Sequence, residues 1–290
     1  MTPTVTTVVF YKGAAMPERV SRKKLNEIEL GLSERDKNIL RAIQTYRYLT
    51  TSQVQRLHFI AAATPSAALR ATSRNLKKLK ELRLIGSFNR RIGGVYPGSG
   101  SFVWHLDAAG EHLLRLVDNK ARPYRKSFKP SAYFLAHTLM VSECFVRLTE
   151  ICRNKGLQMI EAQNEPYCWR PYNSAGKIIS LKPDLFAITL CDKYEDRWFF
   201  EIDLATESPV RIIEKCQRYQ QYYRSGLEQK QYDVFPLVVW IVPDAARKNS
   251  IQQQIKETFF KQPNIFIVIT PEELENLVRQ GAVNSEGGLP

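Results

Sequence analysis

The sequence predicts a two-part α+β chain: an N-terminal helical unit closed by a β-hairpin, then an α/β domain on a mixed central sheet. Capped stretches of helical periodicity recur between residues 33 and 117. A Gly/Pro-rich connection, Gly93-Gly94-Val95-Tyr96-Pro97-Gly98-Ser99-Gly100, separates two short apolar runs and supplies the backbone angles of a hairpin. From about residue 131 the pattern becomes helix, three strands, helix, strand. A length of 290 residues suits two cores. Residues 1–32 read as a flexible basic tail with Arg22, Lys23 and Lys24; 33–125 form the first domain and 126–290 the second.

In the first domain, Ser33 with Glu34 and Asp36 opens a helix whose apolar stripe is Ile39, Leu40 and Ile43, ending near Tyr46. Thr50 or Thr51 caps a short second helix carrying Val54 and Leu57. Thr64-Pro65-Ser66 starts a third, with Leu69, Leu76, Leu79 and Leu82 inward. Strands over 84–92 and 102–106 flank the Gly-rich connection, with Arg90 and Arg91 at its root, and a helix over 108–117 closes the unit. Three helices, a hairpin and a closing helix make a winged helix-turn-helix domain, whose third helix is expected in the major groove of DNA.

Charge agrees with that expectation. Residues 1–126 hold 23 Lys/Arg against 9 Asp/Glu, although the whole chain has a net charge of only +13, so the basic excess lies entirely in this half. A polyanion is drawn to such a surface, and counterion release makes the binding salt-sensitive. Arg70, Arg74, Lys77 and Lys78 fall at helical spacing on the third helix, away from its leucines, and with Arg90 and Arg91 are the candidate DNA contacts. A merely solvated basic surface is the alternative reading of the charge by itself.

The second domain should carry a helix over 133–155, strands over 157–162, 181–190 and 197–204, and a Tyr/Gln-rich helix over 210–226. A buried strand over 235–242, a helix over 249–260, a strand over 265–269 and a last helix from 272 complete it. Pro183-Asp184 opens the middle strand, and Glu201 and Asp203 alternate onto one side of the next. Three carboxylates together repel unless a divalent cation or a basic group neutralises them, so Asp184, Glu201 and Asp203 are candidate ligands of Mg²⁺ or Mn²⁺. The alternative reading of Glu201 and Asp203 is exposed acids on a half-buried strand. Trp169, Trp198 and Trp240 read as core; Tyr219, Tyr222 and Tyr223 as packing; His112 and His137 as packing or polar surface.

That element order and the Pro-Asp and Glu-x-Asp text resemble the PD-(D/E)xK nuclease superfamily, a restriction-endonuclease-like α/β fold. The superfamily's lysine would stand at Asp203 here; Lys215 on the following helix is the candidate for a migrated lysine, and Lys215 to Tyr219 resembles a Gln-x-x-x-Tyr element with Lys replacing Gln. The winged helix, Lys182-Pro183-Asp184-Leu185, Phe200-Glu201-Ile202-Asp203-Leu204-Ala205-Thr206-Glu207, Lys215 and Tyr219 together resemble the replication-relaxation family of plasmids and mobile elements. The resemblance implies sequence-directed binding of double-stranded DNA, in replication, relaxation or mobilisation, with metal-dependent nicking by Asp184, Glu201, Asp203 and Lys215. The alternative is a transcriptional regulator whose second domain is inactive and serves dimerisation or partner binding. A homodimer is expected.

Hydrophobic content of 44% and charged content of 24% exclude global disorder. No apolar stretch is long enough to cross a bilayer, and the N-terminus lacks the pattern of a secretory leader. Cys144, Cys152, Cys168, Cys191 and Cys216 form no CxxC pair, which fits a reducing compartment and argues against structural zinc. A cytoplasmic protein without membrane partners is expected.

Overall fold

The computed structural model describes residues 20–88, 102–118, 130–174, 176–191 and 194–282. It is a mixed α+β structure. Helix α1 (Arg22–Leu30) begins at Ser21, whose hydroxyl accepts the Lys24 N–H, and buries Leu25 and Ile28. The expectation of a tail is corrected here for residues 22–30, and its first 19 residues lie outside the described residues. A short polar helix has little periodic signal, and this one is stabilised by a surface on a distant helix, α5 (Ala108–Asp118).

Helix α2 (Glu34–Tyr46) has a complete capping box: the Ser33 hydroxyl accepts Asp36 N–H at 3.2 Å and the Asp36 carboxylate accepts Ser33 N–H at 2.8 Å. Thr50 and Gln53 repeat the device at α3 (Thr51–His58), and Thr64 caps α4 (Pro65–Glu81). Ile39, Leu40, Ile43, Leu76 and Leu79 are fully buried as the stripes predict. Leu69 is not: it is 48% exposed, because Ala68 is the residue α4 turns inward at that level.

Strands β1 (Leu49–Thr50), β2 (Ile85–Phe88) and β3 (Val103–Leu106) form an antiparallel sheet in the order β1-β3-β2. The connection between β2 and β3, with Arg90 and Arg91, lies outside the described residues. Gly110 of α5 is required: a Cβ there would stand 2.1 Å from the Leu84 carbonyl oxygen.

The second part begins with α6 (Ala132–Lys155), followed by β4 (Gln158–Asn164), a hairpin of β5 (Arg170–Ser174) and β6 (Lys177–Leu181), then β7 (Leu185–Cys191) and β8 (Tyr194–Ile202). Helices α7 (Pro209–Ser225) and α8 (Leu227–Tyr232) lead to β9 (Leu237–Ile241), and α9 (Ala245–Phe259) to β10 (Phe266–Ile269) and α10 (Leu274–Gln280). The five-stranded sheet has the order β10-β9-β8-β7-β4. β4, β7 and β8 pair antiparallel; β8, β9 and β10 pair parallel, joined by crossover helices, so the sheet is mixed as predicted. One face packs Phe186, Phe199, Val238 and Val268 against α7 and α9. The other packs Leu185, Trp198, Phe200 and Val239 against α6 and α10.

That second face continues without a break into the N-terminal core. Tyr46 stacks on Phe145 of α6 at 4.1 Å, and the Ser142 hydroxyl donates to the Tyr48 carbonyl at 3.1 Å. Arg56 of α3 donates to Glu143 at 2.7 Å and to both oxygens of Glu150 at 2.9 and 2.5 Å. Helix α6 therefore belongs to both halves. Arg56→Ala leaves the partly buried Glu150 without its guanidinium and Glu143 with the Arg147 guanidinium at 3.3 Å, and we expect it to lower stability by about 1–3 kcal/mol. Urea denaturation measures this; a variant as stable as the parent would show that the clamp contributes nothing.

Candidate functional site

Strand geometry places the acids. Lys182-Pro183 separates β6 from β7, since proline cannot donate to a ladder. Asp184 follows at the mouth of β7, its N–H bonded to the Phe200 carbonyl and its Oδ2 accepting the Ile202 N–H at 2.8 Å. On β8, Phe200 and Ile202 face α6, so alternation turns Glu201 toward α7. Lys215 and Tyr219, one turn apart on α7, both reach back to it: Lys215 Nζ donates to Oε2 and the Tyr219 hydroxyl to Oε1. From the other side of the sheet His137 of α6 brings Nε2 to 3.3 Å from Asp184 Oδ2.

Asp203 stands apart. The strand ends at Ile202, and the Asp203 carboxylate turns to Arg247 of α9 at 2.6 Å, while its other oxygen accepts the Ala205 N–H at 3.0 Å. Arg247 also holds the Glu207 carbonyl at 2.7 Å. Together these bonds fix the 203–207 turn, in which Ala205 takes the left-handed φ of 58° that a residue with a Cβ normally avoids.

Burial opposes ionisation of Asp184 and Glu201, and the neighbours decide the outcome. For Asp184, burial raises the pKa, but the Lys215 charge, His137 and the Ile202 N–H overcome it and hold the carboxyl down at about 2. Glu201 is inaccessible to solvent; burial pushes it up to about 8, Lys215 pulls against that, and the Asp184 charge adds to the rise. Although burial works against their charges, the carboxylates raise Lys215 and His137.

Of the predicted site, the structure brings together Asp184, Glu201 and Lys215 and leaves out Asp203. It adds His137, read from sequence as packing or polar surface, and Tyr219, read as packing. The Lys215–Tyr219 spacing signals a shared helical face; nothing local signals His137, whose contact spans the fold. Among the described residues no three His, Cys, Asp or Glu side chains gather as a metal cage. Asp203 faces Arg247 instead. Asp184 and Glu201 fit the sparser arrangement in which Mg²⁺ takes one or two carboxylates and completes its shell with water and substrate phosphate.

The predicted DNA contacts also divide. Arg70, Arg74 and Lys77 are exposed on the outer side of α4, and Lys77 lies 3.9 Å from Glu81. Lys78 is exposed as well but bonds the buried Asp36 at 2.9 Å and so pins α4 to α2. Arg90 and Arg91 lie outside the described residues.

The two acids predict opposite pH dependences. The folded chain holds the Glu201 proton more tightly than the unfolded chain, so stability falls as pH rises from about 4.5 to about 8. Asp184 acts the other way: its contribution is complete above its ordinary 3.8 and is lost as pH falls toward about 2. We expect Glu201→Gln to flatten the first slope and leave the acid limb in place, read from urea midpoints across pH. An unchanged neutral slope would overturn the assignment to Glu201.

No curated protein matches this sequence. A solved structure of the restriction endonuclease FokI bound to DNA is similar at 12% identity and a TM-score of 0.27, over 83% of this chain and 43% of that one, a likeness too low to carry an argument. No described helix is long and apolar enough to cross a membrane. The replication-relaxation family matches residues 40–238, more than half of the sequence, from within α2 through the carboxylate–lysine cluster into β9: the chain belongs to that family.

Proposed function

We propose that this chain is a cytoplasmic, sequence-directed DNA-binding protein of a plasmid or other mobile element, acting in replication, relaxation or mobilisation. Residues 33–125 are read as a winged helix-turn-helix: α2, α3 and α4 are its three helices, β2 and β3 the base of its wing, β1 the third strand, and α5 closes it. The observation that carries this reading is the outer face of α4. Arg70 and Arg74 are exposed and make no ion pair among the described residues, while Leu76 and Leu79 anchor the opposite face. Unpaired cations on a rigid helix suit phosphate and base-edge contacts. Binding as a homodimer would present two such helices to a two-fold site.

The test is duplex affinity across a salt series, with the preferred sequence first selected from random duplexes. Arg70→Ala/Arg74→Ala should weaken binding by on the order of tenfold or more and reduce the salt slope by about two. Unchanged affinity in the folded double variant would move the DNA surface elsewhere.

A second reading, metal-dependent nicking, is favoured by the convergence of Asp184, Glu201 and Lys215. In it residues 126–290 are a PD-(D/E)xK-like domain in which Asp184 and Glu201 hold Mg²⁺ or Mn²⁺. A bound cation of this kind polarises the scissile phosphate and acidifies a water. Lys215 opposes the charge on the phosphate, Tyr219 and Lys215 hold the Glu201 carboxyl in place, and His137 and the Ile202 N–H orient Asp184. Asp184→Asn should abolish cation-dependent nicking of supercoiled plasmid and leave duplex affinity intact. A wild-type chain that binds duplex but nicks nothing with either cation would sink this reading and favour a regulator with an inactive second domain.

A further inference from the structure

The carboxylate–lysine cluster turns only part of itself to solvent. The side chains of Asp184 and Glu201 are 8% and 0% exposed, whereas those of His137 and Lys215 are 25% and 27% exposed. A solute arriving from water meets the two bases, with the acids beneath them. One helical turn before His137, Tyr133 stands 48% exposed, its ring inclined 28° to the imidazole at 6.4 Å between centroids. Helix α6 carries no acid before Glu143, which is engaged with Arg56. Two residues before Asp184, the exposed Lys182 lies 4.2 Å over the Trp169 ring.

Cations beside an accessible aromatic ring are the recognition chemistry of an unpaired nucleic-acid strand: the charges take the phosphates and the ring takes the face of a base. A duplex cannot use Tyr133 in this way, because its base faces are already covered by neighbouring pairs. We propose that the mouth of the cluster binds single-stranded DNA, with one unpaired base stacked on Tyr133 and the adjoining phosphates against Lys215 and Lys182. This rests on the reading of the chain as a DNA-binding protein and specifies what reaches its carboxylate–lysine site. Duplex recognition by α4 and strand capture at α6 are then separate surfaces with separable losses.

The experiment uses the full chain, a fluorescein-labelled oligothymidylate and the selected duplex, each followed by anisotropy. Tyr133→Ala should weaken oligothymidylate binding by on the order of tenfold, the contribution of one stacked base, and leave the duplex unaffected. Tyr133→Trp should restore it, since a larger ring keeps the stacking face. Arg70→Ala/Arg74→Ala should do the reverse, losing duplex and keeping the oligothymidylate. Wild-type chain that does not bind oligothymidylate, or Tyr133→Ala that binds it like the wild type, would overturn the proposal. Loss in Tyr133→Ala without recovery in Tyr133→Trp would overturn it too. Should the double variant keep its duplex affinity while Tyr133→Ala loses the strand, the role given to α4 fails and the strand site stands.

Discussion

Two carboxylates taken out of water at the ends of β7 and β8 constrain everything packed around them. An unpaired buried acid costs several kcal/mol, so each must be met by donors whose positions are fixed. Glu201 is met from α7 by Lys215 and Tyr219; Asp184 is met by the Ile202 N–H and by His137 from α6. The two helices lie on opposite faces of the sheet, so the cluster ties both to the same strand ends. Asp203 obeys the same rule separately through Arg247, which ties in α9. Three acids thus locate three helices.

Helix α6 carries the consequence into the other half of the chain. Its first turns are placed by His137 against Asp184, and its middle is placed by Arg56 and Gln53 of α3. Flexible motion is the usual expectation for two domains meeting across a small polar interface. Here the apolar core runs through from Leu40 and Leu76 to Trp198 and Val239. Displacing α3 from α6 would expose that core and part Arg56 from Glu143 and Glu150 together. The exposed face of α4 and the mouth beside Lys215 therefore keep a fixed spatial relation, set by packing rather than by a linker.

Much of this was legible in the sequence wherever the signal is local. Ser33, Thr50 or Thr51, and Thr64 marked three helix starts because a cap acts within one turn; Pro183-Asp184 stands just before β7 and Glu201 on the adjoining β8. Lys215 was singled out by the resemblance, as a migrated lysine on the helix after the acids. Asp203 was misplaced because alternation was carried past Ile202, where the strand stops and a residue 44 positions away takes the carboxylate. Lys78 looked like its neighbours Arg74 and Lys77, and only the arrival of Asp36 from α2 distinguishes it. The β5–β6 hairpin was missed because Ile178 and Ile179 face largely outward, which leaves no buried alternation to read. His137 was missed because its acid partner, Asp184, comes from a distant element.

Net charge and local charge act at different distances, and the chain divides them. The basic excess before residue 127 is the long-range attraction for a polyanion, although beyond a Debye length of about 8 Å at physiological salt it is largely screened. The second half has no such excess, with 19 Lys/Arg against 20 Asp/Glu, so a phosphate reaching the cluster depends on which side chains face it. Exposed acids would repel it. Burying Asp184 and Glu201 under His137 and Lys215 keeps their oxygens at the strand ends while presenting a basic rim to the approaching strand. The same desolvation that makes these acids costly thus makes an acidic site compatible with an anionic ligand.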